Sequence, residues 1–185
     1  MKRILYKIFA AMIFSIPTSV LWAADPLQLT SSTFKDDDMW PSKYACDAPG
    51  PSHAGGNISP PVAWSSPPEN TKSFALIMQD PDGGFGVGSF HWLAYDIPPG
   101  VNSITEGAGS VAPTGWVGGN LGSTDHYRGP CAPLGQGIHH YVINIIATDI
   151  PLGTLKPGLT HDELMQAIRG HALGTASIIA RYQRN

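Results

Sequence analysis

The 185-residue sequence is short of positive charge. It contains 11 Lys and Arg residues against 14 Asp and Glu, and charged residues make up only 14% of the chain. Lys2, Arg3 and Lys7 lie in the first 24 residues, which contain no acidic residue, so the remainder carries 8 basic against 14 acidic residues, a formal net charge of −6. Surfaces that bind nucleic acid need clustered Lys and Arg. The composition therefore argues against DNA or RNA as a partner.

The sequence also lacks the short motifs of several enzyme classes. It has no Gly-x-Ser-x-Gly elbow of a serine hydrolase and no His-x-x-x-His or Cys-x-x-Cys spacing of a zinc site. The glycine-rich stretch Gly84–Gly88 leads into a predicted strand, whereas a phosphate-cradling loop leads into the start of a helix. We interpret it as a hairpin loop.

Long apolar runs are missing as well. Ile8–Ile16 follows a positively charged start and precedes Pro17 and small residues that end in Ala23-Ala24. A transmembrane anchor needs about 20 apolar residues, so the pattern predicts a secretory signal peptide over residues 1–24, cut after Ala23 or Ala24. The protein is then exported to the bacterial periplasm or secreted; an uncleaved anchor is the alternative.

The remaining residues, 25–185, suit a single domain with one core. Many glycines and prolines (21 and 17) separate short apolar segments, which is typical of a mainly β fold. One helix is indicated by Thr160 and Glu163, which form a capping box, and Gly170 or Gly174 would end it. We predict an antiparallel sandwich with one or two short helices and strands at Leu27–Ser31, Val62–Ser65, Ser73–Met78, His91–Ile97, Tyr141–Ala147 and Ala176–Tyr182.

Polar side chains stand at the ends of three predicted strands. Asp80 and Asp82 follow one strand, His91 begins the next, and His139 begins a third with His140 on its opposite face. Such groups are costly to bury without partners, so we expect them to gather at an accessible pocket. Histidine and aspartate together can hold an anion, bind a metal or move a proton, and their positions alone do not choose among these.

The segment from Gly100 to Ile138 has no clear strand or helix pattern and contains nine glycines after Gly100 itself. A loop of this length within a domain is usually functional. Because it ends close in sequence to His139, we expect it to form one wall of the pocket.

The ordered motifs of the chain resemble the phosphatidylethanolamine-binding protein family, also called the Raf kinase inhibitor protein family. The resemblance covers about residues 27–184. Within the family, the sequence looks most like the bacterial YbhB/YbcL-type branch. The resemblance rests on the segments Phe74–Asp82, Phe90-His91-Trp92, Tyr127-Arg128-Gly129-Pro130-Cys131 and His139-His140-Tyr141, with Cys46-Asp47, Gly56–Pro61 and Ala167–Leu173 as further matches.

The resemblance implies a large antiparallel sheet packed on a smaller one in Greek-key order, with a small anion pocket at the sheet end and no cofactor or metal. Two departures could widen the mouth of that pocket: Gly83-Gly84 replaces the usual Ala-Pro after Asp82, and Ala48–Ala54 is an insertion. Carried over motif by motif, the ligand-binding residues would be Asp80, Asp82, His91, Gly129, Pro130, His139 and Tyr141.

The resemblance implies that the protein binds a phosphate- or phosphoethanolamine-like anion and is not an enzyme. Weak contact with a lipid headgroup is compatible with this function. One alternative is an inhibitor or regulator that meets a protein partner through the pocket rim. Another is a metal-dependent or acid–base enzyme, because two carboxylates and two imidazoles could ligate a metal. The sequence leaves the oligomeric state open.

Cys46 and Cys131 are the only cysteines, and both lie in motifs that flank the pocket in the resemblance. Export would place them in an oxidising compartment, where a disulfide persists. The alternative is that both stay reduced as small buried residues. Both readings remain open from the sequence.

Overall fold

A computed structural model of the chain describes residues 25–47, 55–111, 113–122 and 124–184. The predicted signal peptide, residues 1–24, and the insertion Ala48–Ala54 lie outside the described residues. Among the described residues no helix is both long and apolar enough to cross a membrane.

The described residues form nine strands and three short helical segments. The helical segments are a 3₁₀ turn at Ser42–Tyr44, the single turn α1 (Gly83–Gly86) and the helix α2 (His161–Ile168). The strands are β1 (Gln28–Thr30), β2 (Asp38–Met39), β3 (Val62–Ser65), β4 (Ser73–Asp80), β5 (Ser89–Ile97), β6 (Ser103–Ile104), β7 (Val117–Gly118), β8 (His139–Thr148) and β9 (Ala172–Tyr182).

The strands form two sheets. The small sheet has the order β1-β3-β6, and the large sheet has the order β2-β9-β8-β4-β5-β7. The predicted mainly β fold with a large and a small sheet is confirmed. The prediction of a wholly antiparallel sandwich needs one correction, because β2 pairs with β9 in parallel.

The segment Gly100–Ile138, expected to lack regular structure, contributes the strands β6 and β7. Each has only two residues, and each is held by a longer neighbour, β3 or β5. Two residues are too few to show an alternating pattern, so these strands could not be predicted from local sequence.

The large sheet is buried on both faces. Phe74, Leu76 and Met78 of β4 pack in one core cluster with residues of the small sheet, such as Trp64, whose ring centroid lies 5.3 Å from that of Phe74. The alternate β4 residue Ile77 packs on the other face with α2. Burial on both faces accounts for the continuous apolar run in this strand.

Helix α2 begins and ends where the sequence predicts. The Thr160 hydroxyl accepts a hydrogen bond from the Glu163 amide, and the Glu163 carboxylate accepts one from the Thr160 amide. The helix ends at Ile168, and Gly170, with φ of +81°, turns the chain into β9. Of the two glycines proposed as the stop, Gly170 is therefore the one that serves.

Candidate functional site

The candidate site lies at one end of the large sheet. Because β4 runs antiparallel to both β5 and β8, its last residues meet the first residues of these two neighbours. Asp80, His139 and Tyr141 stand in line with the apolar rows of β4 and β8 that face the small sheet. The core therefore changes from apolar to polar at this end, where loops replace the small sheet.

A β-bulge brings His91 to the same place. In the pairing of β4 with β5, Met78 is opposite Trp92 but the next residue, Gln79, is opposite Phe90, so His91 is the extra residue. A bulge bends its strand and re-aims a side chain. As a result His91 turns toward Tyr141, with ring centroids 5.2 Å apart in an edge-on arrangement.

These side chains line a cavity of about 230 Å³. Four of its polar lining residues are almost fully buried: Asp80 and His139 are each 3% exposed, His91 is 4% exposed and Tyr141 is 0% exposed. The remaining lining residues come from the α1 turn, the start of β5 and the loop before β8: Gly83, Gly84, Phe85, Ser89, Arg128, Cys131, Ala132, Pro133 and Gln136.

Asp80 is the most densely hydrogen-bonded group of the site. Its Oδ1 accepts from the amides of Asp82 and Gly83 at 3.0 and 2.9 Å, and its Oδ2 accepts from Nδ1 of His139 at 2.8 Å. Three N–H groups therefore donate to this one carboxylate. A Cβ at Gly83 would collide with Ser89 Oγ and crowd Asp80, so glycine is required for this approach.

The Asp80 carboxylate fixes the orientation of the His139 ring. Since Nδ1 donates to Asp80, the Nε2 atom is left without a partner among the described residues and belongs to the cavity side of the ring. If the ring is protonated, Nε2 also carries an N–H that can donate to a ligand.

The His91 ring is oriented by a backbone carbonyl, whereas the His139 ring is oriented by a carboxylate. Nδ1 of His91 donates to the carbonyl oxygen of Arg128 at 2.8 Å, so in the neutral ring Nε2 carries the lone pair and accepts from Ser89 Oγ at 3.3 Å. Burial lowers the pKa of His91. The two imidazoles of the cavity thus differ: one is backed by a carboxylate, the other by a carbonyl in a desolvated position.

Tyr141 supplies a buried hydroxyl without a partner. Within the usual limits of hydrogen-bond distance and angle its Oη has no partner among the described residues, although the Asp80 carboxylate and the Cys131 amide lie near enough to influence it. Burial, and then the negative charge of Asp80, raise the pKa of Tyr141 far above its usual range, so the hydroxyl keeps its proton. A buried polar group left unpaired costs about 1–3 kcal/mol, and a ligand oxygen in the cavity would satisfy it.

One wall of the cavity is tied to the rest of the fold by a disulfide. Cys46 and Cys131 are bonded, with Cα atoms 5.4 Å apart across 85 residues of sequence. Next to the bridge, the Cys46 amide donates to the Pro130 carbonyl at 2.9 Å and the buried Tyr127 hydroxyl donates to the Tyr44 carbonyl at 2.7 Å. The described part of the segment Gly100–Ile138 ends in this wall, as the sequence predicted.

Gly129 and Pro130, predicted as ligand-binding residues, do not line the cavity. The Gly129 amide donates to the Asn57 side chain at 2.7 Å, and a Cβ at Gly129 would collide with the backbone between Tyr44 and Cys46. Both residues therefore serve the junction behind the wall. Their neighbours Arg128 and Cys131 face the cavity instead.

Asp82, also predicted as a ligand-binding residue, lies outside the cavity. Its Oδ2 accepts from the amide and from Nδ1 of His140, both at 2.8 Å, on the outer side of the sheet. The hydrogen bond from the His140 ring is the main cause that lowers the pKa of Asp82. This outer position follows from strand alternation, which sends His139 inward and His140 outward.

Comparison with known proteins identifies the family. The model of the phosphatidylethanolamine-binding protein family matches residues 30–183, most of the chain. The chain belongs to this family. The relatives include a UPF0098 protein of Methanothermobacter thermautotrophicus, 38% identical over 161 residues that cover 85% of this chain and 99% of that one. LppC of Mycobacterium tuberculosis, whose name describes a lipoprotein, is 34% identical over 87% of this chain and 74% of its own length.

Two solved structures of phosphatidylethanolamine-binding protein homologues resemble the fold. Escherichia coli YbcL, described as a member of the mammalian family, matches with a TM-score of 0.77 and 29% identity over 87% of this chain and all of that chain. The homologue CT736 of Chlamydia trachomatis matches with a TM-score of 0.73 and 30% identity over 86% of this chain and 99% of that one. These matches support the bacterial branch of the family that the sequence motifs indicate.

Three polar lining residues of this family member were not predicted from the sequence: Ser89, Arg128 and Gln136. Ser89 precedes His91 by two positions on one strand, so alternation alone would have placed both on one face. Arg128 is the only cation within the motif Tyr127–Cys131, which also signals a role.

The described residues contain no group of three or more His, Cys, Asp or Glu side chains arranged to hold a metal ion.

Proposed function

We propose that this phosphatidylethanolamine-binding protein family member is an exported binding protein for small phosphate-like anions. The observation that carries the proposal is the buried Tyr141 hydroxyl, which has no partner and borders a cavity that also presents His139. Its pKa is raised, so it acts as a proton donor, which an anion oxygen can accept. His139, once protonated, forms a neutral pair with Asp80 and adds a second donor at Nε2.

The size and polarity of the cavity favour a small ligand. A volume of about 230 Å³ corresponds to roughly seven or eight water molecules of about 30 Å³ each. Arg128 at the rim supplies a positive charge in a chain whose formal net charge is −3. Because a few directed donors would hold the anion locally, the negative net charge of the whole protein does not prevent anion binding at this site.

The test is calorimetric titration of the purified protein with inorganic phosphate, followed by the variant Tyr141→Phe. Losing a hydrogen bond to a charged ligand should cost about 1.5–3 kcal/mol of binding free energy. The stability of the unliganded protein should stay the same or rise, because the variant removes an unsatisfied group. Equal phosphate affinity in native protein and Tyr141→Phe would contradict the proposal.

Tyr95→Phe is the matched control. Tyr95 is also fully buried, but it packs on the other face of the sheet and its hydroxyl donates to the Lys156 carbonyl at 2.6 Å. This variant should lose stability while keeping its phosphate affinity.

Export is the second part of the proposal. It is supported by the pattern of residues 1–24 and by the name of LppC, which describes a relative as a lipoprotein. N-terminal sequencing of the protein recovered from a periplasmic extract should find Asp25 or Ala24 at the start. Recovery of the full-length chain in the cytoplasm alone would contradict export.

A protein partner that docks at the cavity mouth is a second candidate. Phe85 and Leu134, on two loops beside the cavity, are 96% and 61% exposed, and Phe85 is held at φ of +61°. Exposed apolar side chains grouped at one place are typical of interaction sites. If this candidate holds, Leu134→Ser, at a residue that does not line the cavity, should abolish capture of a partner enzyme without changing phosphate affinity; capture that survives the change would remove Leu134 from that surface.

A further inference from the structure

A second cavity lies beside the anion cavity. Its volume is about 310 Å³, and it lies between the start of α2 and the start of β5. Ser89 and Arg128 line both cavities, so these two side chains form the partition between them. The residues that line only the second cavity are Phe90, Asn120, Leu121, Thr160, His161 and Asp162.

The backbone of Arg128 is fixed at this partition by two hydrogen bonds with His91. Its amide donates to the His91 carbonyl at 2.7 Å, and its own carbonyl accepts from Nδ1 of His91 at 2.8 Å. The side chain is exposed and forms no ion pair with any residue that the structure describes. Burial is the main cause that lowers the pKa of His91 in the anion cavity, and the positive charge of Arg128 adds to the same effect. A guanidinium presents a planar set of donors that fits phosphate oxygens.

The second cavity suits an uncharged ring. The Phe90 and His161 rings stack at 3.8 Å with 17° between their planes, and Leu121 packs beside them as part of the same apolar cluster. Asp162, whose side chain is 96% exposed, adds a negative charge at the edge and disfavours a second anionic group. The cavity therefore differs in chemistry from its neighbour across Arg128.

The volumes point to joint use. Ligand cavities in proteins are usually about 300–1,000 Å³. The anion cavity alone falls below this range, whereas the two cavities joined across Ser89 and Arg128 fall well within it.

We infer that the preferred ligand is a phosphomonoester of an uncharged, ring-sized alcohol: its phosphate lies against His139 and Tyr141, Arg128 contacts it at the partition, and its ring occupies the second cavity. The inference rests on the proposed anion binding and adds the class of the substituent.

The experiment compares two probes, inorganic phosphate and phenyl phosphate, by calorimetric titration of the native protein. Burying the area of about two methylene groups corresponds to about tenfold in affinity, so phenyl phosphate should bind at least about tenfold more tightly. Tighter binding of phenyl phosphate than of inorganic phosphate supports the inference, and so does binding of phenyl phosphate with no measurable binding of inorganic phosphate. Equal affinity for both probes would overturn it and leave the anion proposal intact, while binding of neither would overturn both.

The variant His161→Ala removes one ring of the stack and should reduce the preference for phenyl phosphate to about twofold or less, with unchanged affinity for inorganic phosphate. His171→Ala is its matched control: each histidine donates from Nδ1 to an aspartate, but His171 lines neither cavity. Thermal unfolding of both variants checks that they are folded. A full preference retained in folded His161→Ala would remove the second cavity from ligand binding.

A further variant, Arg128→Gln, should weaken both probes by about tenfold, in keeping with the loss of one hydrogen-bonded charge. Unchanged binding of both probes would overturn the placement of phosphate at the partition.

Discussion

Two Asp–His pairs stand back to back at one end of the large sheet, and they differ only in what surrounds them. In each pair Nδ1 of the histidine lies 2.8 Å from Oδ2 of the aspartate. The inner pair, Asp80 and His139, has side chains that are 4% exposed, whereas the outer pair, Asp82 and His140, has side chains that are 42% and 48% exposed. Equal geometry therefore comes with unequal energetic consequences, because the cost of an unpaired charge depends on burial.

The comparison shows why one pair can serve a ligand and the other cannot. The inner aspartate is satisfied by three N–H donors, and its histidine faces a cavity bordered by the orphan hydroxyl of Tyr141. The outer pair meets water, which competes for the same hydrogen bonds and screens the charges. Directed donors in a desolvated cavity favour the binding of an anion. The same donors in water gain little binding free energy from an anion.

The largest expected effect comes from breaking the inner pair. His139→Ala should lower the free energy of unfolding by about 3–5 kcal/mol, because it leaves the buried Asp80 charge without its partner. Urea unfolding of native and variant protein measures the difference. A loss under 1 kcal/mol would mean that the inner pair is no more important to the fold than a surface pair.

Removing the disulfide should come next. The double variant Cys46→Ser/Cys131→Ser should lose about 2–4 kcal/mol, since the bridge closes a long loop in the unfolded chain. It should also loosen the wall in front of the inner pair and weaken phosphate binding, because Cys131 lines the cavity. Native stability and affinity in the double variant would show that the backbone contacts of Gly129 and Pro130 hold the wall without the bridge.

A smaller effect concerns pH. Burial lowers the pKa of His91 in the folded protein below the reference value of about 6.5, so the unfolded chain binds more protons between these two values. The contribution of His91 to stability is therefore complete above about pH 6.5 and is lost as the pH falls through the lowered folded pKa.

An anion in the cavity favours the protonated ring, so the affinity for a sulfate monoester should rise over the same interval in which unliganded stability falls. Unfolding and titration series across this interval, with His91→Asn as the comparison, measure both trends. A rise in unliganded stability toward low pH, or affinity that falls with it, would contradict the assignment.

The smallest effect is expected at the outer pair. His140→Ala should change the free energy of unfolding by at most about 1 kcal/mol, as is usual for exposed ion pairs. Its phosphate affinity should be native, because His140 and Asp82 do not line the cavity. A loss comparable to that of His139→Ala would erase the distinction between the pairs.

Several parts of this arrangement could be predicted from the sequence because they depend on local chemistry. The apolar run Ser73–Met78 predicts a strand covered on both faces, and Thr160 with Glu163 predicts the start of α2; the structure has both. The doublet His139-His140 at a strand start predicts one inward and one outward ring, which is what the structure shows.

Other parts depend on contacts between distant segments, which no local pattern carries. The doublet does not predict that Asp82 lies on the outer side beside His140, because that position depends on the register of β4 against β8. Gly129 is glycine because the segment Tyr44–Cys46 crosses it closely, and that crossing joins residues more than 80 positions apart. The bulge at His91 is likewise a property of strand pairing.

The most direct test of the central claim observes both pairs in one experiment. Nitrogen-15 spectra of the histidine side chains are recorded while the native protein is titrated with a sulfate monoester, whose charge does not change near neutral pH. We expect the Nε2 signals of His139 and His91 to shift as the ligand saturates the protein, while those of His140 stay in place. Equal shifts at His140, or none at His139, would contradict the claim that the buried pair holds the anion.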